Sequence, residues 1–301
     1  MSILDKLLHI ATEQGHDYDV VLFRYLTERT LYRLGCTQPG VFVLKGGLYL
    51  GLLAYMPYRA TEDADLSAFG HLSDETLLET FESLKTENPC PLDAVTYSGR
   101  VRMKSISKGR NYLGVRIRIA AHLRHERRLL SFDVSHGSAI AQPPIPWQFA
   151  SIVSGLPEPS GIRLYPLGTV IAEKLHAFHL YPTAEVFPRI RDLYDLAFLA
   201  ATFPFDATDL HQAIDRTFRS RKPTAPDGGI FWGSRPTSLT NLDIIEEMQK
   251  DWAELLEGAT YQPTIAEAVQ LVSRFSAPLL EAAYLNEPGQ GRWSPGEDWC
   301  K

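Results

Sequence analysis

A short apolar run, Val41 to Leu44, ends at Lys45-Gly46-Gly47, an apolar segment follows, and the chain then reads R-x-T-x-D-x-D from Arg59 to Asp65. This order constrains the fold more than any other feature. Val41–Leu44 predicts a strand and Leu48 to Tyr55 a helix, so the glycines stand at a strand-to-helix turn. Glycine lets the backbone approach a ligand closely, and a helix N-terminus offers unpaired N–H groups and a favourable dipole to a phosphate. Ala64 to Ala68 predicts a second strand, whose alternation sends Asp63 and Asp65 to one face, about 6–7 Å apart, and Ala64 and Leu66 to the core. Magnesium takes one or two carboxylates and keeps its other positions for water and substrate phosphate, so this pair suits it. A third carboxylate, Asp133, lies in LLSFDVS on a strand whose Leu130, Phe132 and Val134 face the core; it would complete a two-metal arrangement. Glycine turn and carboxylates together describe a cradle for a nucleoside triphosphate.

The chain has 301 residues, 45% hydrophobic and 22% charged. That is enough apolar surface for a folded chain and a length natural to two lobes. Cys36, Cys90 and Cys300 are scattered, which suggests neither a disulfide framework nor a zinc site. The N-terminal segment is too interrupted for a signal peptide, and the longest apolar stretch, Leu48 to Met56, is far too short to span a bilayer, so a soluble cytoplasmic protein without membrane partners is expected. Helical spacing predicts helices over 2–14 and 18–34, the second stopped by Gly35, and over 74–87, opened by Ser73. Strands are predicted over 93–98, 101–106, 113–121 and 128–135. The proline pairs of 142–146 and 155–161 mark a boundary, giving lobes of 1–150 and 151–301. Helices are expected in the second at 167–180, 189–202, 207–219, 239–257 and 264–284, with a Pro/Gly-rich loop at 222–237.

Net charge is −6, against a uniformly basic nucleic-acid binder, yet Arg100 to Arg128 holds ten Lys or Arg and one acid, Glu126. Arg100, Arg102 and Lys104 alternate onto one strand face, and Arg116 and Arg118 onto another. A solvated face accounts for such a pattern; so does a track for an RNA backbone, whose affinity is dominated by phosphate contacts. After Phe218, Arg219, Arg221, Lys222, Phe231, Trp232 and Arg235 mix cations with aromatics that could stack on a base. His176 and His179 share a helical face, where packing is the ordinary role.

These motifs, LKGG at 44 to 47, R-x-T-x-D-x-D at 59 to 65, the isolated Asp133, AEKLHA at 172 to 177 and RDLYDL at 191 to 196, resemble the AbiEii/AbiGii-type toxin nucleotidyltransferases, including the MenT-like toxins, of the DNA polymerase β-like superfamily. The resemblance covers roughly residues 41 to 222. It implies an α+β architecture, with a polymerase β-like nucleotidyltransferase lobe (mixed sheet with helices) followed by a mainly helical C-terminal lobe. It also implies phosphate binding by Lys45, Gly46, Gly47, Arg59, Lys174 and Arg191, metal binding by Asp63, Asp65 and Asp133, and catalytic roles for these three aspartates with Lys174 and Asp192. Asp195 would stand beside Asp192. The chain departs from the family at Leu48, where a Ser or Thr is usual, so one hydroxyl contact to phosphate is absent.

The expected activity is Mg2+-dependent transfer of NMP from NTP to an RNA acceptor, tRNA 3′ ends leading, by the toxin of a toxin-antitoxin or phage-defence system with a cognate antitoxin protein. Two other readings stay open: nucleotidylation of a protein or small-molecule hydroxyl, and a non-catalytic binding protein on a degenerate scaffold. Thr61 stands two residues before Asp63, where a phosphoryl group would set a dianion against the carboxylates.

Overall fold

The computed structural model describes residues 2–54, 61, 63–70, 72–107, 113–136, 142–180, 190–220 and 242–300. The chain divides into two compact units, one of Met1–Ser138 with Pro144–Tyr165, the other of Ala139–Pro143 with Pro166–Lys301.

The first unit is built on a seven-stranded mixed sheet among the described residues. Its strands are β1 (Phe42–Lys45), β2 (Asp63–Ala68), β3 (Val95–Ser107), β4 (Leu113–Leu123), β5 (Glu126–His136), β6 (Ile145–Pro146) and β7 (Arg163–Leu164), in the order β3-β4-β5-β2-β1-β7-β6. β2 runs parallel to β5, and β1 pairs antiparallel with β2 and parallel with β7. That last pairing, with Tyr165 N–H donating to the Leu44 carbonyl at 3.0 Å, holds residues 144–165 in the first unit.

One face of the sheet is apolar: Ala64, Leu66, Val115, Ile117, Ile119, Leu130, Phe132 and Val134 are buried. Helices α1 (Ile3–Gln14), α2 (Tyr18–Thr37) and α4 (Asp74–Ser83) belong to this unit, with α2 against β4 and β5 and α4 against β3 and β4. Ser2 and Ser73 cap α1 and α4 by accepting from backbone N–H groups one turn in, and Ser2 completes a capping box with Asp5.

The helix expected over 74–87 ends at Ser83, and two further differences have a physical reason. Gly35 does not stop α2, which continues to Thr37. A Cβ at Gly35 would lie 3.0 Å from the Gly161 backbone, so this glycine serves a close approach of two chain segments. The strands predicted at 93–98 and 101–106 are one strand, β3, whose register against β4 shifts between Ser98 and Arg102; an irregularity over residues 99–101, which face Ile119 alone, takes up the extra length without ending the pairing.

The second unit is mainly helical: α5 (Leu167–Leu180), α6 (Ile190–Thr202), α7 (Ala207–Ser220), α8 (Leu242–Leu256) and α9 (Ile265–Leu285), with a small ribbon of β8 (Phe205–Asp206) and β9 (Arg292–Trp293). Its core includes the rings of Phe205, Phe275, Trp293 and Trp299, and the buried Trp293 indole donates to the Ala200 carbonyl at 2.7 Å. No helix among the described residues is long and apolar enough to cross a membrane.

Candidate active site

The other face of the sheet carries the charge. Strand pairing places Lys45 opposite Asp65, Asp65 beside Asp133, Asp133 opposite Arg116, and Arg116 opposite Lys104. Cross-strand partners point to the same face of a pleated sheet, so these five residues form one row across β1, β2, β5, β4 and β3. The neighbouring row reads Asp63, Ser131, Arg118 and Arg102. Three carboxylates thus occupy the middle of the face, with Lys45 on one flank and Arg102, Lys104, Arg116 and Arg118 on the other. The two basic strand stretches, separate in sequence, are one surface.

The first turn of α3 (Gly46–Leu53) begins at the glycines. Gly46 has φ +70, and a Cβ added there would overlap the Asp65 carboxylate. The glycine is therefore required twice, for a left-handed backbone and for room beside an acid. Asp65 lies against a helix N-terminus, where negative charge is favoured. Lys45, buried at 9% exposure, donates through Nζ to Ser135 Oγ at 3.0 Å and lies 5.7 Å from the Tyr165 ring centroid; Ser135 in turn donates to the Leu66 carbonyl at 3.2 Å. The chain of contacts ties the Lys45 ammonium, rooted on β1, to Ser135 of β5 across β2.

Asp133 is fully buried, and Arg116 meets it with both arms of its fork: Nε to Oδ1 at 2.6 Å and Nη2 to Oδ2 at 2.7 Å. Arg116 Nη2 also lies 3.8 Å from Asp63 Oδ2. The hydrogen bonds it donates to Asp133, reinforced by the charges of Asp133, Asp63 and Asp65, hold the guanidinium pKa well above its ordinary value despite partial burial. Thr61 Oγ1 sits 3.3 Å from the Asp63 carbonyl and 3.5 Å from Asp63 Oδ1.

Does this donor set fit magnesium? Among the described residues no trio of His, Cys, Asp or Glu is arranged as an ion-holding group, and both Asp133 oxygens bear on Arg116. Asp63 and Asp65, alternate residues of β2 with both side chains part-exposed, supply the one or two carboxylates that magnesium requires of a protein, its other positions going to water and substrate oxygens. The set fits as a two-carboxylate site, and Asp133 can join only where Arg116 lets go.

The motif residues of the second unit also meet. Lys174 on α5 reaches Asp192 Oδ1 at 2.6 Å and Asp195 Oδ2 at 2.7 Å, both on α6, and Asp195 has no exposed surface. Burial works against the ammonium charge, but the two carboxylates outweigh it and raise the Lys174 pKa. Arg191 is exposed at the start of α6. His176 is buried edge-on against Phe218, 4.8 Å between ring centres, as a packing residue would be. Arg59, the loop residues Arg221, Lys222, Phe231, Trp232 and Arg235, and the His179 side chain lie outside the described residues.

Sequence reasoning missed Arg116 as a partner of the acids and counted it only in the basic stretch. Its signal was the β4–β5 register, which a tight hairpin at Arg124-His125 sets.

Two solved structures are similar: a candidate nucleotidyltransferase from H. pylori, at 14% identity and TM-score 0.49 over 87% of this chain and 96% of that one, and JHP933 from Helicobacter pylori, at 16% identity and TM-score 0.42 over 87% and 92%. No curated protein matches the chain. The family model described as nucleotidyl transferase AbiEii toxin, type IV toxin-antitoxin system, matches residues 29–275. That span takes in every motif from the glycine turn to RDLYDL, and on it the chain belongs to the AbiEii family of toxin nucleotidyltransferases.

Proposed function

We propose that this nucleotidyltransferase uses magnesium to transfer NMP from an NTP to an RNA acceptor, with the 3′ end of tRNA as the leading candidate, and that a cognate antitoxin protein restrains it in the cytoplasm. The observation that carries the reading is the charged row itself: an acid cluster fit for a metal–triphosphate, with Arg116 paired to it, is continuous on one sheet face with Arg102, Lys104 and Arg118. Cations in that number beside the acids suit a polyanionic acceptor, whereas a small-molecule or protein hydroxyl requires none of them.

In the transfer, the acceptor hydroxyl oxygen bonds to the α-phosphorus, the bond from that phosphorus to the bridging oxygen of pyrophosphate breaks, and the hydroxyl proton passes to solvent. Asp63 and Asp65, with Asp133, are the residues that would hold magnesium, which when bound neutralises the triphosphate and lowers the pKa of the attacking hydroxyl. Lys45 and the N–H groups of Gly46 and Gly47 are assigned to phosphate oxygens, as the start of α3 favours. Arg59, Lys174 and Arg191 enter through their motifs as further phosphate contacts, and Asp192, with Asp195, as the pair that holds Lys174 in place.

The test is a labelled-NTP transfer assay with total RNA, comparing wild type, Asp65→Ala and Arg102→Glu/Arg118→Glu. Labelled RNA is expected from the wild type only. Equal labelling by Asp65→Ala eliminates the site. A charge-reversed protein that labels RNA normally, or a wild type that labels a protein or small molecule instead, eliminates the acceptor. Sequencing RNA 3′ ends from expressing cells then identifies the RNA.

A further inference from the structure

A buried carboxylate needs a counter-charge or a full set of hydrogen-bond donors; stripped of its partner, the group either takes up a proton or destabilises the fold. Asp133 is such a group, with no exposed surface, and Arg116 supplies a counter-charge to both of its oxygens. The same acid is also in register with Asp65 on β2, beside which a divalent ion would bind. A guanidinium spanning both Asp133 oxygens, with its Nη2 also 3.8 Å from Asp63 Oδ2, occupies the ground that an ion shared among the three acids would claim. Two cations cannot share those oxygens without strong repulsion.

Arg116 is also able to leave. Its side chain is 32% exposed while Asp133 is sealed. Its cross-strand partner on the open side is Lys104, and like charges directly opposite are unfavourable. Its other neighbour along β4 on this face is Arg118.

We propose that Arg116 is the site's resident counter-cation: it holds Asp133 in the metal-free protein, competes with the divalent ion for it, and yields when a triphosphate offers its fork another anion. This inference rests on the proposed magnesium–NTP reading of the same acids. Its consequence is that metal and nucleotide bind together. The ion alone must displace an arginine, whereas the ion with a triphosphate arrives with a substitute partner suited to bidentate Arg contact. Coupling of this kind is reciprocal and is read as a change in affinity for either ligand.

The experiment titrates the full chain with Mn2+ by calorimetry, with and without a non-hydrolysable NTP analogue, and follows thermal melting in parallel. Arg116→Met is expected to bind Mn2+ alone at least about tenfold more tightly than wild type, since a unit positive charge a few ångströms away has been removed. The analogue should tighten Mn2+ binding by the wild type and leave Arg116→Met nearly unchanged. Adding Asp133→Asn to Arg116→Met should abolish the gain. Arg116→Lys, which keeps the charge and the fold but loses the fork, should show a smaller gain and serves if the methionine variant does not fold. Mn2+ affinity that is unchanged or weaker in both variants overturns the inference, and if wild type still transfers nucleotide the magnesium reading stands. A wild type that neither binds Mn2+ with the analogue nor transfers nucleotide removes both.

Discussion

Gly46 allows the link between backbone conformation and catalytic geometry to be measured by comparison with an unrelated glycine. Its φ of +70 lies in the left-handed region, and a Cβ there would overlap the Asp65 carboxylate. Gly15, which ends α1, has φ +65 and nothing within 4 Å of the corresponding Cβ. Alanine at either position bears the left-handed strain, about 1–2 kcal/mol. For a chain of this size each kcal/mol lowers Tm by roughly 2–4 °C. Gly15→Ala should therefore melt a few degrees lower and transfer nucleotide at the wild-type rate. Gly46→Ala bears the same strain and must also move Asp65 or α3, an overpacking that costs a further ~1–3 kcal/mol. A shift of Asp65, the proposed metal ligand, by about 1 Å should reduce turnover on the order of a hundredfold. Urea denaturation of both variants and labelled-NTP transfer under saturating magnesium measure the two effects separately. Gly46→Ala transferring nucleotide like wild type, with a stability no lower than that of Gly15→Ala, would refute the claim that the glycine exists to seat the acid.

Lys174→Met leaves Asp195, which has no exposed surface, beside Asp192 without its cation; breaking such a buried pair costs about 3–5 kcal/mol, and Asp195→Asn in the same chain should restore part of it. A Lys174→Met protein that unfolds at the wild-type urea concentration contradicts this. Thr61→Glu sets a carboxylate beside Asp63 Oδ1, now 3.5 Å from the hydroxyl, and should lower NTP turnover at least about tenfold with little change in Tm; full turnover counts against it. Burial pushes the Tyr97 phenol from 10.0 up to about 12. The folded protein holds that proton more tightly than the unfolded chain, so the contribution is complete below pH 10 and is lost as pH climbs toward 12. Tyr97→Phe should flatten the fall in stability across that window, and an unchanged alkaline limb would show that other groups govern it.

What could be read from the sequence, and what could not, follows from the range of the forces involved. The alternation around Asp63, Asp65 and Asp133 is local, so the apolar face of β2 and β5 was legible one strand at a time. Pairing between strands is not local. The row from Lys45 to Lys104 depends on the β4–β5 hairpin, where Leu123 pairs with Glu126 and seven steps back along each strand Arg116 meets Asp133. The loop between them is Arg124-His125, with Arg124 at φ 55. Asn-Gly or Asp-Gly there would have announced a two-residue turn and fixed the register on sight. Arginine in that conformation announces nothing, because it is tolerated for what the strands gain rather than preferred for itself. Gly35 shows the same limit from the other side: helix termination is a local reading of glycine, and the close approach of Gly161 overrides it from a distant part of the chain. A single residue added to the hairpin loop therefore tests the whole reading. It should leave β4 and β5 as strands but turn Arg116 away from Asp133, since a one-residue slip sends every side chain of a strand to the opposite face. The buried acid would then lose the Arg116 fork, and transfer activity and stability should fall together; a hairpin insertion that preserved both would mean that the row of charges is not what holds the site.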